Sequence, residues 1–405
     1  MTERNWAGNF AYRAAEIHRP TSLDALRELV ARTSSLRVLG SRHSFNAIGD
    51  AGELVSLRAL PADLVSDGET VSFGAGLTYG ELAVELQSRG LALHNLASLP
   101  HISVAGAIAT ATHGSGNANG NLATAVRALE LVTSDGELRR VQAGDGDFDG
   151  AVVHLGALGV VTRLTLAVEP TFELRQRVFE GLSWEALAEH FEAITGAGYS
   201  VSIVTAFGSS VDSVWVKSRD DVAELFDARP ATAERHVIHG LGPASTTPQL
   251  GVPGPWSERL PHFRMGFQPS NGEEIQSEYL LPREHALPAI DALRSISATL
   301  IPVLQVCEIR TVAADRFWMS PMYERDTVAL HFTWVRDQAG VEAALAHLEP
   351  ALAPFDPRPH WGKVFLDAPS YPRGEDFLAL AERYDPRGVF RNDWFSAALG
   401  PRSGR

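Results

Sequence analysis

Twenty consecutive residues in the first third of the chain carry mostly small side chains. Residues 97–116 read Ala-Ser-Leu-Pro-His-Ile-Ser-Val-Ala-Gly-Ala-Ile-Ala-Thr-Ala-Thr-His-Gly-Ser-Gly. Small side chains let the backbone lie directly against a flat ligand or against another strand. The segment therefore predicts either a cofactor wall or a tightly packed helix or strand pair, and the pattern alone favours neither.

Length and charge limit the classes of protein that the chain can form. The 405 residues suggest two or three domains, and a formal net charge of −14 argues against nucleic acid or an anionic membrane as partner. A single cysteine, Cys307, excludes an intramolecular disulfide and a cysteine-rich metal site, and it fits a reducing cytoplasm. We expect no metal, no secretory signal and no membrane span, and an acidic surface that favours a soluble monomer.

The first part of the chain alternates short strands and helices. Leu26, Leu29 and Val30 lie on one face of a predicted helix, and a strand follows at residues 36–39. A second helix is predicted near residues 80–88, with Leu82, Val84 and Leu86 partly periodic. Residues 134–136 read Ser-Asp-Gly between strand-like runs, which predicts a hairpin. A further strand is predicted at residues 164–168.

The pattern of predicted elements changes after about residue 170. A helix is predicted over residues 183–196 and strands within residues 201–217. A turn-rich stretch at 228–262 predicts a long loop, and strands at 302–310 and 327–335 precede a helix near 340–352. The pattern indicates an α+β protein with a cofactor domain first and a substrate domain second.

Two glycine clusters invite a comparison with dinucleotide-binding folds. Residues 74–80 and 114–120 both space their glycines as G-x-G-x-x-x-G, whereas the Rossmann fingerprint is G-x-G-x-x-G. A nicotinamide-type Rossmann site is therefore rejected, and the first cluster is interpreted as a strand-to-helix turn.

Gly40, outside these two clusters, opens the run Gly40-Ser41-Arg42-His43-Ser44-Phe45-Asn46. Successive backbone N–H groups there can form a nest for a pyrophosphate, and Arg42 adds positive charge. His43 would then lie beside the cofactor. On spacing alone, a structural histidine in a polar turn is the better interpretation.

Late in the chain, charged residues alternate with apolar ones. Glu308 and Arg310 are one residue apart, as are His331 and Thr333 on the next strand-like run, so each pair shares a strand face. Apolar residues flank the first pair. This pattern predicts a polar pocket to which Lys363 also belongs.

Taken together, these segments resemble the vanillyl-alcohol-oxidase flavoprotein family, in its branch of alditol oxidases and aldonolactone oxidases. The resemblance runs nearly end to end. It is carried by Asn5-Trp6-Ala7-Gly8, by residues 40–46, 95–106, 112–116, 155–162 and 251–256, by Cys307-Glu308-Ile309-Arg310 and by His360-Trp361-Gly362-Lys363.

The resemblance implies a two-domain FAD-binding fold of the PCMH type. Residues 1–170 would form the FAD-binding domain and residues 171–370 a substrate-binding cap with an antiparallel sheet. Residues 371–405 would return to the FAD-binding domain.

The resemblance also implies covalent FAD. A histidine at the place of His43 is bonded to the flavin in this family, which reverses the interpretation from spacing. Arg42 departs from the family pattern, where glycine is expected. The cofactor-binding residues implied are Val38, Leu39, Gly40, Ser41, Arg42, His43, Ser44, Ala97, Ser98, Ser103, Val104, Gly106, Ala107, Ile108, Ala109, His113, Gly114, Leu158 and Val161.

Carried over residue by residue, the resemblance implies a polyol site. The substrate-binding residues would be Ser98, Glu308, Arg310, His331, Thr333 and Lys363. Lys363, Arg310 and Glu308 would be catalytic, with Lys363 as the base or as a stabiliser of the alkoxide. The implied reaction takes the terminal primary alcohol of an alditol, such as xylitol, sorbitol or glycerol, to the aldehyde and reduces oxygen to hydrogen peroxide.

Two other functions compete with this one. An aldonolactone oxidase or dehydrogenase, of the L-gulono-1,4-lactone type, shares the fold, the flavin and the Glu-x-Arg pair. A non-catalytic carbohydrate-binding protein would need none of His43, Glu308, Arg310 and Lys363, and their presence argues against it.

Overall fold

The first part of the chain forms short strands that pair in three groups. In the computed structural model, which describes residues 3–266, 273–367 and 369–400, these strands are β1 (Glu16–His18), β2 (Leu36–Val38), β3 (Glu53–Val55), β4 (Leu64–Ser66), β5 (Thr70–Gly74), β6 (Leu91–Ala92), β7 (Val126–Val132), β8 (Leu138–Gln142), β9 (Val160–Ala167) and β10 (Glu169–Pro170). A parallel sheet has the order β1-β3-β2 and an antiparallel sheet the order β4-β5-β9-β7-β8, while β6 pairs with β10.

The helices of this part begin where the sequence supplies capping residues. They are α1 (Leu23–Arg32), α2 (Tyr79–Ser88), α3 (Val104–Ala109) and α4 (Phe148–Ala151). The Ser22 side chain accepts a hydrogen bond from the backbone N–H of Ala25 at the start of α1. Thr78 and Glu81 form a capping box at the start of α2, so the first glycine cluster is a strand-to-helix turn between β5 and α2, as predicted.

The second part of the chain forms one large antiparallel sheet. Its strands are β11 (Glu173–Glu180), β12 (Ser200–Thr205), β13 (Ser213–Ser218), β14 (Arg229–Pro230), β15 (Gly254–Pro255), β16 (Glu274–Pro282), β17 (Leu304–Val312), β18 (Thr327–Val335) and β19 (Arg358–Pro359). The order is β14-β11-β13-β12-β17-β18-β16-β19, and β15 pairs with β11.

The remaining helices of the described residues are α5 (Trp184–Thr195), α6 (Ala286–Leu300), α7 (Gln338–Leu352), α8 (Gly374–Tyr384) and α9 (Asp393–Leu399).

The two faces of the large sheet differ in what covers them. Helices α5, α6 and α7 pack on the face that carries Cys307, Ile309, Leu330 and Phe332. Because side chains alternate along a strand, Glu308, Arg310, His331 and Thr333 point to the opposite face.

The C-terminal helices pack against the first part of the chain. Phe377 and Leu380 of α8 and Phe395 of α9 share a core with Leu26 and Phe73. The sheets thus change near residue 170, and α8 and α9 return to the first core. The division into 1–170, 171–370 and 371–405 stays a prediction.

Most predicted elements are present. The α+β class, the hairpin of β7 and β8, helices α1, α2, α5 and α7, and strands β17 and β18 are confirmed. Of the three partly periodic residues of α2, Leu82 and Leu86 are fully buried, whereas Val84 is 65% exposed. Strand β16 and helix α6 lie in a stretch to which the sequence analysis assigns no structure.

No helix among the described residues combines the length and apolar character that crossing a bilayer requires.

Candidate active site

A cavity of about 1070 Å³ lies between the small-residue segment and the large sheet. Backbone hydrogen bonds fix the two parts together: Gly116 N donates to Thr311 O of β17 at 2.8 Å, and Ala313 N donates to Asn119 O at 2.9 Å. The volume exceeds the range of about 300–1000 Å³ that is usual for one small ligand. There is room for a large cofactor and a substrate together.

Most of the residues implied for the cofactor line this cavity. They are Val38, Leu39, Gly40, Ser41, Arg42, His43, Ser44, Ala97, Ser98, Ser103, Gly106, Ala107, Ala109, His113 and Val161. Val104, Ile108 and Leu158 instead lie buried in the core behind the wall, with at most 1% exposure. Gly114 packs against Asn95 and the Leu96 carbonyl, where a Cβ would lie 2.4–2.5 Å from the nearest oxygens.

The wall near His43 is built from groups too small to fill the space. Gly40 and Gly106 both face the Ser103 hydroxyl, which would lie 2.5 and 2.7 Å from a Cβ added at these positions. The Ser41 hydroxyl accepts a hydrogen bond from Ser103 N at 3.0 Å and so joins the two loops. The segment therefore forms part of the cavity wall, and its helix α3 also packs into the core. Its role as a cofactor wall stays a prediction.

His43 is held in place but keeps one ring nitrogen without a partner. Its Nδ1 lies 3.0 Å from the Ser41 carbonyl oxygen, and Trp6 stacks on the ring with 4.9 Å between centroids. Among the described residues no group forms a hydrogen bond with its buried Nε2. Burial lowers the pKa of His43 to about 4, against a smaller opposing effect of the Ser41 carbonyl, so the imidazole is neutral at neutral pH.

Arg42 occupies a backbone conformation that suits glycine. Its φ is +63°, in the left-handed region, and its side chain pairs with Glu3. Arg42 therefore stands where the backbone favours glycine, the residue that the resemblance leads us to expect.

We expect the Arg42→Gly variant to be more stable than the Arg42→Ala variant, with a free energy of unfolding about 1 kcal/mol higher. Both variants lose the exposed ion pair with Glu3, so their difference isolates the backbone conformation at residue 42. Urea unfolding of the two purified variants measures it. Equal stabilities would contradict the assignment of strain to this position.

Three adjacent strands place a row of ionisable side chains at the other end of the cavity. In the registers of β16, β18 and β17, Glu278 lies opposite His331, and His331 lies opposite Glu308. All three residues are at most 5% exposed and line the cavity. The pair Glu308 and Arg310 and the pair His331 and Thr333, which are separate in the sequence, therefore belong to one site.

Glu308 and Arg310 form a buried ion pair. Oε2 of Glu308 accepts hydrogen bonds from Nε and Nη2 of Arg310 at 3.0 and 2.6 Å. Burial alone would raise the pKa of Glu308, but Arg310 and a hydrogen bond from His262 outweigh it and hold this pKa well below the ordinary value. Glu308 is therefore a carboxylate.

Lys363 joins the row from the loop after β19. Its Nζ lies 2.8 Å from Oε2 of Glu278 and is in hydrogen-bond contact with Nδ1 of His331. Nε2 of His331 lies 3.3 Å from the Thr333 hydroxyl. Burial lowers the pKa of Lys363, and the carboxylate of Glu278 opposes this shift without cancelling it.

Glu278 is a site residue that was not predicted from the sequence. Its Oε1 lies 3.2 Å from Nε2 of His113, although the two atoms are not aligned as a hydrogen bond. Burial would raise the pKa of Glu278, but Lys363 and His113 outweigh it and hold this pKa well below the ordinary value. A signal was available, because residues 274, 276 and 278 are polar at the same alternation as Glu308 and Arg310.

Ser98 completes the predicted substrate set. It lines the same cavity, and its carbonyl oxygen accepts backbone hydrogen bonds from His262 and Phe263 at 3.1 Å. The structure therefore brings together all six residues implied for the substrate: Ser98, Glu308, Arg310, His331, Thr333 and Lys363.

Comparison with known proteins now fixes the family. Residues 15–142 match the family described as FAD binding domain, and residues 270–398 match D-arabinono-1,4-lactone oxidase. An alditol oxidase from Streptomyces sp. is 52% identical over 410 residues, which cover 98% of each chain. The chain belongs to the alditol oxidase branch of the vanillyl-alcohol-oxidase flavoprotein family. It is a flavin-dependent oxidase.

More distant relatives are consistent with this flavoprotein family. The L-gulono-1,4-lactone dehydrogenase of Mycobacterium tuberculosis is 28% identical, over 98% of this chain and 99% of that one. The crystal structure of cholesterol oxidase from B. sterolicum matches with a TM-score of 0.76 at 14% identity, covering 99% and 96% of the two chains. The latter similarity shows the fold alone.

The cavity fits the FAD of this flavoprotein family. Gly40, Ser41, Ser103 and Gly106 leave a recess in the wall, and His43 presents an unpaired, neutral nitrogen beside it. The ionic row lies elsewhere in the same cavity. A cofactor in the recess and a small substrate at the row would share one cavity.

Proposed function

We propose that this flavoprotein oxidises the terminal primary alcohol of an alditol, such as xylitol, sorbitol or glycerol, to the aldehyde, with FAD held covalently by His43. Electrons pass to oxygen, which becomes hydrogen peroxide. The observation that carries the proposal is the buried row of Glu308, Arg310, His331 and Lys363 in the cavity that also contains His43. The 52% identity to an alditol oxidase supports the same substrate class.

Bound FAD supplies the two-electron acceptor and the route to oxygen. The chain supplies the proton chemistry and the orientation of the alcohol. Lys363 is the proposed base, because its pKa is lowered and its Nζ lies at the cavity wall with 14% of the side chain exposed. The contact with His331 gives the abstracted proton a path toward Thr333.

The other polar groups match a chain of hydroxyls. Oε2 of Glu308 is occupied by Arg310 and His262, and no described residue forms a hydrogen bond with its Oε1. Oε1 is therefore free to accept a hydrogen bond from a substrate hydroxyl. Thr333 and Ser98 can each donate and accept. A substrate that lacks a matching hydroxyl leaves a buried polar group unpaired, which gives specificity.

Substrate profiling tests this proposal. Hydrogen peroxide formation is measured with xylitol, sorbitol and L-gulono-1,4-lactone under the same conditions, and we expect the polyols to have the higher kcat/KM. An aldonolactone oxidase or dehydrogenase is the second candidate, since residues 270–398 match D-arabinono-1,4-lactone oxidase. A higher kcat/KM for the lactone would favour that candidate.

Glu278 sets the pH dependence of the proposed base. Its carboxylate stabilises the protonated form of Lys363, so Glu278→Gln removes that stabilisation and lowers the pKa of Lys363 further. The rise of kcat/KM with pH should then move to lower pH by about one unit or more. The pH profile of kcat/KM measures this. A profile that stays in place or moves to higher pH would contradict the role of Glu278.

A cytoplasmic monomer completes the proposal. The formal net charge of −14 and the single, buried Cys307 support it. Sedimentation of the purified protein over a range of concentrations tests the monomer, and a mass that rises toward twice that of the chain would contradict it.

A further inference from the structure

A second set of buried polar side chains lies behind Glu308. Nε2 of His262 lies 3.2 Å from Oε2 of Glu308, and Nδ1 of His262 lies 3.2 Å from Nζ of Lys217. Lys217 and His262 are both 2% exposed. Neither of them lines the cavity. The His262 side chain contacts the site through Glu308, and the His262 backbone N–H also donates to the Ser98 carbonyl oxygen.

The contact with Glu308 assigns a tautomer to His262. A carboxylate can only accept, so Nε2 of His262 is the donor there, and Nδ1 accepts from Lys217, which also donates to the Leu260 carbonyl oxygen. An Nδ1 that accepts a hydrogen bond leaves the proton of a neutral imidazole on Nε2. Burial lowers the pKa of His262 to about 4, so the ring is neutral and its Nε2–H donates to the Glu308 carboxylate.

These contacts hold one oxygen of the Glu308 carboxylate, Oε2, and leave the other, Oε1, without a hydrogen bond from any described residue. Oε2 of Glu308 receives hydrogen bonds from two sides, from Arg310 along the strand and from His262 behind it. Two donors on different elements restrict the rotation of the carboxylate about its own axis. Oε1 is then the oxygen that remains available in the cavity.

We propose that Lys217 and His262 are positioning residues that hold the Glu308 carboxylate with Oε1 directed to a substrate hydroxyl. This inference rests on the proposed role of Glu308 in binding the polyol. It goes further by assigning a function to two residues that do not touch the substrate.

A purely structural role predicts different behaviour. Lys217 also ties the loop that contains Leu260 to β13, and Trp215 packs edge-on against His262 with 5.1 Å between ring centroids. If the cluster only stabilises the loop, any change in its packing should act alike on binding and turnover. If the cluster orients Glu308, loss of the Nε2–H donor should act mainly on substrate binding.

Steady-state kinetics of the FAD-loaded enzyme with xylitol distinguish these roles. His262→Phe keeps a ring but removes the donor, and we expect KM to rise about tenfold while kcat stays within about threefold. His262→Gln can place its amide nitrogen near the former Nε2, so KM should return to within about threefold of the wild-type value. Lys217→Met removes the hydrogen-bond donor that holds Nδ1 of His262 as an acceptor. We therefore expect KM to rise, as it does for His262→Phe.

The control is Trp215→Phe, which changes the packing of His262 without removing a hydrogen bond to Glu308. We expect its KM to stay within about twofold of wild type. The inference fails if Trp215→Phe raises KM as much as His262→Phe, if a folded His262→Phe keeps the wild-type KM, or if His262→Gln gives no rescue. If His262→Phe does not fold, His262→Gln and Lys217→Met decide by the same criteria.

Failure of the proposed function would look different. A wild-type enzyme that oxidises a lactone and no polyol refutes the polyol substrate. The same variants, measured with that lactone, still decide whether Lys217 and His262 act on Glu308.

Discussion

Replacing Lys363 by methionine should lower kcat/KM for xylitol by about 10²–10⁴-fold, the range expected for loss of a general base. Methionine keeps most of the length of the side chain but cannot accept the proton of the alcohol. The remaining activity should also lose the pH dependence that Lys363 confers. Measurement of kcat/KM between pH 5 and about 10 follows both effects, because the base must titrate below the ordinary lysine pKa.

The methionine variant leaves Glu278 as a buried carboxylate without its 2.8 Å partner, which by itself destabilises the fold. The double variant Lys363→Met/Glu278→Gln removes both charges and serves as the matched control. We expect it to regain thermal stability but not activity. A single variant that is folded and retains kcat/KM within tenfold of wild type would refute Lys363 as the base.

Replacing His43 by alanine should abolish covalent flavin attachment. After acid precipitation, the yellow colour of wild-type protein should stay with the pellet, whereas that of His43→Ala should appear in the supernatant. The physical reason is that a neutral imidazole with an unpaired nitrogen is a nucleophile, and alanine offers none. Absorbance of the two fractions at the flavin maximum gives the covalent fraction directly.

His101 provides the control for this experiment. It is a second histidine close enough to affect the pKa of His43, and its Nε2 contacts the Met265 carbonyl oxygen. His101→Ala should keep the colour in the pellet. Colour that stays with the pellet of His43→Ala would exclude His43 as the attachment point, and wild-type colour released to the supernatant would exclude a covalent bond.

Strand alternation was sufficient to predict part of the site. Glu308 and Arg310, like His331 and Thr333, share a strand face because their spacing is two, and the structure places all four at the cavity. The alternation of side chains does not predict the register in which two strands pair. That Glu308 lies opposite His331, and that β16 then adds Glu278 to the row, depends on the pairing of strands distant in the chain.

Other parts of the site left weaker traces in the sequence. Lys217 lies on a strand whose side chains are all buried. A buried lysine on such a strand is unexpected from the sequence, and its partner His262 becomes visible only in the structure. His262 comes from the predicted long loop, where local periodicity says nothing about position. For His43 the residues alone favoured a structural histidine over a cofactor contact, and the family resemblance reversed that preference.

The departure at Arg42 shows the opposite case. A residue that looked unusual in the sequence proved to have a backbone reason, since φ at this position lies in the left-handed region. Sequence patterns carry information about side-chain faces, whereas a single left-handed residue becomes visible only in the structure.

Anaerobic mixing of the purified protein with xylitol, followed by visible absorbance, shows whether a polyol reduces the bound flavin. We expect the yellow flavin band to bleach with xylitol or sorbitol faster than with L-gulono-1,4-lactone, and to return on admission of oxygen with formation of hydrogen peroxide. A flavin band that bleaches with the lactone and stays unchanged with the polyols would refute the polyol as substrate.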